Sequence, residues 1–100
     1  MHYLLFYEKA PEAALLQKEY QADHRAHCQA AARSGELLLG GSLTDPEDGR
    51  AVLLFRCDRP DVVEAFAKAD PYVIAGVVRR WRVRRWHTVV GPAAAHPESG

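Results

Sequence analysis

Cysteine is scarce in this chain. Only Cys28 and Cys57 occur. They match no metal-binding spacing, and a disulfide between them is not expected in an intracellular protein. No apolar run approaches the ~20 residues that span a bilayer, so no membrane partner is expected. The start, Met1-His2-Tyr3, passes straight into a strand-like pattern. It lacks the charged, apolar and small-residue regions of a signal peptide, which makes a cytoplasmic location the expectation. An excess of charge is also absent, since 13 lysines and arginines balance 13 aspartates and glutamates. That balance argues against whole-chain attraction to a polyanion and leaves little repulsion to oppose self-association. No glycine-rich dinucleotide fingerprint is present, so no built-in nicotinamide site, and no cofactor, is expected.

What is there suits one small soluble domain. The 100 residues are 48% hydrophobic and 26% charged, enough for a single modest core. His2 to Tyr7 reads as a buried strand. Glu12 to about Arg33 reads as a helix, with Pro11 just before it and Ser34-Gly35 ending it. Leu16, Tyr20, His24, Cys28 and Ala31 recur at spacings that place them on one helical face. Leu37 to Leu39 is a short second strand, followed by Gly40-Gly41-Ser42 and a turn-rich stretch from Thr44 to Gly49. Ala51 to Cys57 is the third strand, paired with the second as a hairpin. Asp58 is the expected cap of a second helix that runs to about Lys68. Asp70-Pro71-Tyr72 interrupts it, because Pro71 disfavours a helical conformation at Asp70. A short helical turn up to Gly76 follows, and Val77 to Val90 is the last strand.

The order is β-α-β-β-α-β, a ferredoxin-like α+β fold over residues 1–90 with one antiparallel four-stranded sheet. The tail, 91–100, holds no aromatic residue and is expected to be disordered. Two helices cover one face of such a sheet and leave the other open. Leu5, Leu53, Phe55 and Trp81 are the residues expected to be shielded by a second copy, giving a homodimer.

Several residues carry chemistry. The imidazole of His24 can accept and return a proton near neutral pH. A carboxylate on its other nitrogen would fix the tautomer, and Asp70, held extended by Pro71, is the candidate. The blander alternative is a hydrogen-bonded core histidine and an ordinary helix cap. Gly41 and Ser42 end a strand where backbone N–H groups and a hydroxyl can approach a substrate oxygen. Tyr72, two residues from Asp70, is a candidate pocket wall, whereas Tyr3, Tyr7 and Tyr20 read as core. Asp23, His24, His27 and Cys28 crowd one helix, but without a further ligand motif no metal is expected. The run Arg79 to Arg85 with Trp81 and Trp86 has the ingredients of a nucleic-acid surface. On a strand, however, Arg80, Arg82 and Arg84 alternate with Trp81 and Val83, so a solvated edge or ion pairs explain it and no nucleic acid is expected. One of these arginines remains a candidate for an anionic substrate.

Taken in order, these residues resemble the YciI-like family. His24 on the first helix and Gly35-Glu36-Leu37-Leu38-Leu39-Gly40-Gly41 are similar to the family's histidine and glycine-ended strand. So are the acidic turn at Asp45 to Gly49, the segment Ala69-Asp70-Pro71-Tyr72-Val73-Ile74-Ala75-Gly76, and the closing Val83-Arg84-Arg85-Trp86. The chain departs from the family pattern at Ser42, where proline is usual, at Arg25, where leucine is common, and at Arg85, where proline often stands. The resemblance implies a dimeric ferredoxin-like fold and a catalytic pair formed by His24 and Asp70. One relative is a dehydrochlorinase of a chlorinated hydroxyhydroquinone. Muconolactone isomerases and small monooxygenases share the fold more distantly, by analogy only. The expected function is general acid–base chemistry, isomerisation or elimination, on an oxygen-rich small molecule. The alternatives are a non-catalytic binding or interaction module and a structural dimer with an idle cleft. His24 and Asp70 are expected to meet at a pocket edge, directly or through one water.

Overall fold

Alternation of apolar residues along the strands decides the layering. The computed structural model describes residues 1–98, and residues 99–100 of the tail lie outside the described residues. Its elements are β1 (His2–Lys9), α1 (Ala14–Arg33), β2 (Leu37–Ser42), β3 (Arg50–Arg56), α2 (Pro60–Ala69), α3 (Pro71–Ile74) and β4 (Val78–Trp86). The strands form one sheet in the order β2-β3-β1-β4, and every neighbouring pair is antiparallel. The ferredoxin-like order is therefore present, with α3 as a single extra turn between α2 and β4.

Register sorts the two faces. Tyr3, Leu5 and Tyr7 of β1 stand beside Phe55, Leu53 and Ala51 of β3, and beside Arg85, Val83 and Trp81 of β4. On this face Tyr3, Leu5, Tyr7, Ala51, Leu53 and Phe55 are buried, in one cluster with Val63, Phe66 and Ala67 of α2. The Phe66 ring meets Phe55 edge-on at 5.0 Å, a favoured aromatic geometry. The opposite face carries Leu4, Phe6, Val52 and Leu54, all half-buried, together with Arg80, Arg82 and Arg84.

That sorting corrects the residues assigned to the open face. Leu5, Leu53 and Phe55 lie under the helices at 0%, 4% and 1% exposure, and Trp81 shares their face. Successive side chains in a strand point to opposite faces, so a one-residue error in parity exchanges the whole set. Leu4, Phe6, Val52 and Leu54 line the other face instead.

Some boundaries also differ. β2 extends through Gly40 and Gly41 to Ser42. A Cβ at Gly40 would lie 3.3 Å from Leu53 Cγ, so the strand crosses Leu53 most closely without one. β4 ends at Trp86 rather than Val90. Arg59, not Asp58, takes the cap position of α2, and it makes no side-chain capping bond. Gly35 follows α1 with φ of +86°, the left-handed conformation that glycine adopts freely. Beyond β4, the N–H groups of Ala95 and His96 donate to Thr88 Oγ1 and to the Thr88 carbonyl, at 2.9 and 3.0 Å.

Helix α1 is mostly exposed. None of its residues is fully buried. Its inward stripe comprises Gln17, Tyr20, Gln21, His24, His27, Cys28 and Ala31, all half-buried, whereas Leu15 and Leu16 are exposed. Leu16 thus leaves the inner face assigned to it. Stability should follow this division. Leu5→Ala is expected to cost ~2–5 kcal/mol, and Leu15→Ala to stay within ~0.5 kcal/mol, both read from urea unfolding.

Candidate active site

The chain reversal after α2 delivers a carboxylate to the interior. Pro71 keeps Asp70 extended, at φ −69° and ψ 123°, as expected for a residue before proline. Asp70 is then both the C-terminal residue flanking α2 and the N-cap of α3. Its side chain is wholly buried, so each oxygen needs donors.

Those donors come from three elements. The Tyr72 N–H of α3 donates to Oδ1 at 3.0 Å. The Tyr7 hydroxyl of β1 donates to Oδ2 at 2.7 Å. His24 Nδ1 of α1 faces both oxygens, at 2.8 and 3.0 Å. Burial alone would raise the Asp70 carboxyl, but the hydrogen bonds from His24, Tyr7 and the Tyr72 N–H, with the charge of His24, outweigh it. The net direction is down, towards the ionised form. Tyr7 is pushed the other way, by burial first and then by its bond to Asp70 and that residue's charge, so it stays a donor.

An ionised Asp70 accepts only, so Nδ1 of His24 carries the hydrogen and Nε2 of the neutral ring carries the lone pair. The ring is held from the side as well. Tyr72 stacks on it with centroids 3.9 Å apart and planes within 5°. Cys28 Sγ lies 3.6 Å from Nε2 and 3.9 Å from Nδ1. A thiol aimed along the Nε2 lone pair would be much farther from Nδ1, so the sulfur rests beside the ring and leaves the lone-pair direction open. Burial and the charge of Asp70 push the Cys28 thiol up to about 11, which keeps it a protonated packing group rather than a nucleophile.

His24 borders a cleft of about 610 Å³ between α1, β2 and the helix-side face of the sheet. Tyr72, Gly41 and Ser42 border it too, and Tyr7 forms part of its wall. The structure thus brings His24, Asp70 and Tyr72 into contact and sets Gly41 and Ser42 on the same cleft. A Cβ at Gly41 would touch nothing within 4 Å, so packing does not demand glycine there.

Other candidates lie elsewhere. His27 stacks on Phe66 at 4.3 Å, and its Nε2–H donates to the Phe66 carbonyl at 2.9 Å, tying α1 to α2. Among the described residues no three His, Cys, Asp or Glu side chains gather as a metal site. Arg79 pairs with Glu8 at 2.7 Å, and Arg80, Arg82 and Arg84 share the open sheet face with Glu8, Phe6 and Leu4. None of the four lines the cleft. Sequence reasoning placed Tyr7 in the core and passed over Lys9, Gln17, Gln21 and Arg25, which all border the cleft. The glutamines were the available signal, since a helix that only covers a core does not need polar side chains along its inward stripe.

The family model for the YCII-related domain matches residues 1–87. The chain belongs to this family. Comparison with curated proteins gives no match. Among solved structures, this YCII-related domain is similar to 5-chloro-2-hydroxyhydroquinone dehydrochlorinase from Burkholderia phenoliruptrix AC1100, in complex with 2,5-dihydroxybenzoquinone. The TM-score is 0.73 at 21% identity, covering 88% of this chain and 95% of that one. A protein from Agrobacterium tumefaciens is similar with a TM-score of 0.57 at 13% identity, over 95% and 98% of the two chains. At these identities the likeness is one of fold.

The depressed carboxyl of Asp70 fixes the sign of a pH effect. Its contribution to stability is present above the ordinary carboxylate range and is lost as pH falls through the lower folded value. The unfolding free energies of wild type and Asp70→Asn, measured by denaturant titration, should therefore converge as the solution is acidified. Tyr7→Phe, which strips one donor from a buried acceptor, should cost ~1–3 kcal/mol at neutral pH.

Proposed function

We propose that this protein is an enzyme that moves a proton on a small, oxygen-rich organic molecule, with His24 as acid–base group and Asp70 as the residue that orients it. The observation that carries this reading is the contact of His24 Nδ1 with both oxygens of a fully buried carboxylate, on a ring that borders a cleft. A histidine that served packing alone would not need a buried carboxylate to set its tautomer and a stacked ring to set its plane. Asp70, Tyr72 and Cys28 together define the ring's position and leave Nε2 as the basic end.

The reaction is an isomerisation or an elimination. In an isomerisation, Nε2 takes a proton from a carbon next to a carbonyl, the electron pair shifts through the conjugated system, and the proton returns at another atom. In an elimination, Nε2 takes the proton, the electron pair forms the new double bond, and a leaving group such as chloride departs with its electrons. Both balance without an oxidant or reductant. Asp70 stabilises the imidazolium that forms and keeps its own charge. The similar dehydrochlorinase makes elimination from a chlorinated hydroxyhydroquinone the first reaction to test, and 2,5-dihydroxybenzoquinone the first ligand. Tyr72 is the wall of the site, while Gly41 and Ser42 offer a strand end to a substrate oxygen. A homodimer formed through Leu4, Phe6, Val52 and Leu54 belongs to the same proposal, because these apolar side chains lie on the sheet face that carries no helix.

The test is turnover of a panel of chlorinated and unchlorinated hydroxyquinols, lactones and enols, followed by chloride release and ultraviolet absorbance. His24→Ala is expected to abolish turnover while the protein stays folded. Asp70→Asn is expected to slow it ~10²- to 10⁴-fold. Binding by wild type with no turnover across the panel would favour a ligand-binding module instead, and unchanged turnover in His24→Ala would end the catalytic assignment.

A further inference from the structure

The charge of the cleft is one-sided. Its walls carry two cationic side chains, Lys9 at the end of β1 and Arg25 on α1, and no aspartate or glutamate. The chain as a whole has equal numbers of acidic and basic residues, so composition does not explain this. Among the described residues neither Lys9 nor Arg25 forms an ion pair with a carboxylate, whereas Arg50, Arg79 and Arg80 each do. The one carboxylate near the cleft, Asp70, has no exposed surface, and its oxygens are taken by Tyr7, Tyr72 and His24.

The rest of the lining describes the remainder of the ligand. Gln17 and Gln21 present amides along the inward stripe of α1, and Leu53 and Ala51 form an apolar floor on the sheet. Arg25 follows His24 directly in sequence, and its charge acts on the hydroxyl of Tyr72, whose ring stacks on His24. Arg25 thus shares the cleft wall with His24, the residue whose Nε2 is proposed to take the proton.

We propose that the cleft selects a substrate that is already an anion, a planar carboxylate or enolate with an apolar body, and that Arg25 and Lys9 are the groups that recognise its charge. This inference rests on the reading of the cleft as the substrate site. The proposed chemistry also adds negative charge to the substrate, and cations in the cleft stabilise the larger charge of the transition state more than that of the anion first bound. Arg25 offers a planar fork suited to two oxygens of a carboxylate, and Lys9 a point charge.

The experiment compares matched probes by calorimetric titration of the full chain. 3,4-Dihydroxybenzoate is set against 3,4-dihydroxybenzamide, and cinnamate against cinnamamide. Wild type is expected to bind at least one acid ~10-fold or more tighter than its amide, by the usual scale of a charge-assisted hydrogen bond. Arg25→Gln and Lys9→Gln should each erase most of that preference by weakening the acid far more than the amide, and Arg59→Gln, outside the cleft, should preserve it. Added salt should weaken the acid and not the amide. Equal binding of acid and amide, equal losses for both in the variants, or no binding of either acid at millimolar concentration would overturn the proposal. The same titrations with His24→Ala separate the two readings. An anion preference that persists there while no substrate is ever turned over leaves this inference standing without the catalytic one. Turnover confined to neutral substrates and lost in His24→Ala does the reverse.

Discussion

A carboxylate with no exposed surface sits between three elements of this fold, and it must be given donors or be protonated. Asp70 receives them from β1, α1 and α3. Tyr7 comes from one of the two inner strands, His24 from the middle of a twenty-residue helix, and the Tyr72 N–H from the first turn after Pro71. Satisfying the carboxylate therefore fixes how α1 lies against the sheet. α1 has no fully buried residue of its own, so apolar burial within the chain holds it weakly. The bonds of His24 to Asp70 and of His27 to the Phe66 carbonyl tie it down at successive turns. Fold and site share one constraint, and the cleft is the space left where α1 stands off β2.

The same constraint shapes the proposed chemistry. A histidine free in solution exchanges its tautomers readily, and only one of them is a base at Nε2. Asp70 selects that tautomer, Tyr72 holds the ring plane, and Cys28 fills the space beside it as a protonated thiol. Charge is arranged in the order the proposed reaction needs: a buried anion behind the imidazole, the lone pair in front, and on the cleft wall two cations that form no ion pair among the described residues.

Much of this was legible before the structure. Pro71 announced an extended Asp70, and the alternation of strand and helix signals announced the sheet. His24 stood out by the family resemblance, because the residues alone left a hydrogen-bonded core histidine as an open alternative on a helix that also carries Leu16, Tyr20, His27 and Cys28. Three features were hidden for physical reasons. Tyr7 in a strand of Tyr, Leu and Phe looks like any core aromatic, and only the tertiary approach of Asp70 gives its hydroxyl a purpose. The parity of Leu5 against Leu4 cannot be read from a run that is apolar on both faces of the sheet. Arg25 and Lys9 resemble ordinary surface cations until the cleft shows that, among the described residues, no aspartate or glutamate lines it beside them.

The most direct measurement is the tautomer of His24, read from long-range proton–nitrogen correlations of the imidazole at a pH where the ring is neutral. The account predicts a protonated Nδ1 and a bare Nε2 in the wild type, and a mixture of tautomers in Asp70→Asn. A wild-type ring carrying its proton mainly on Nε2 would contradict it, because the nitrogen that faces Asp70 would then lack the hydrogen on which the whole arrangement depends.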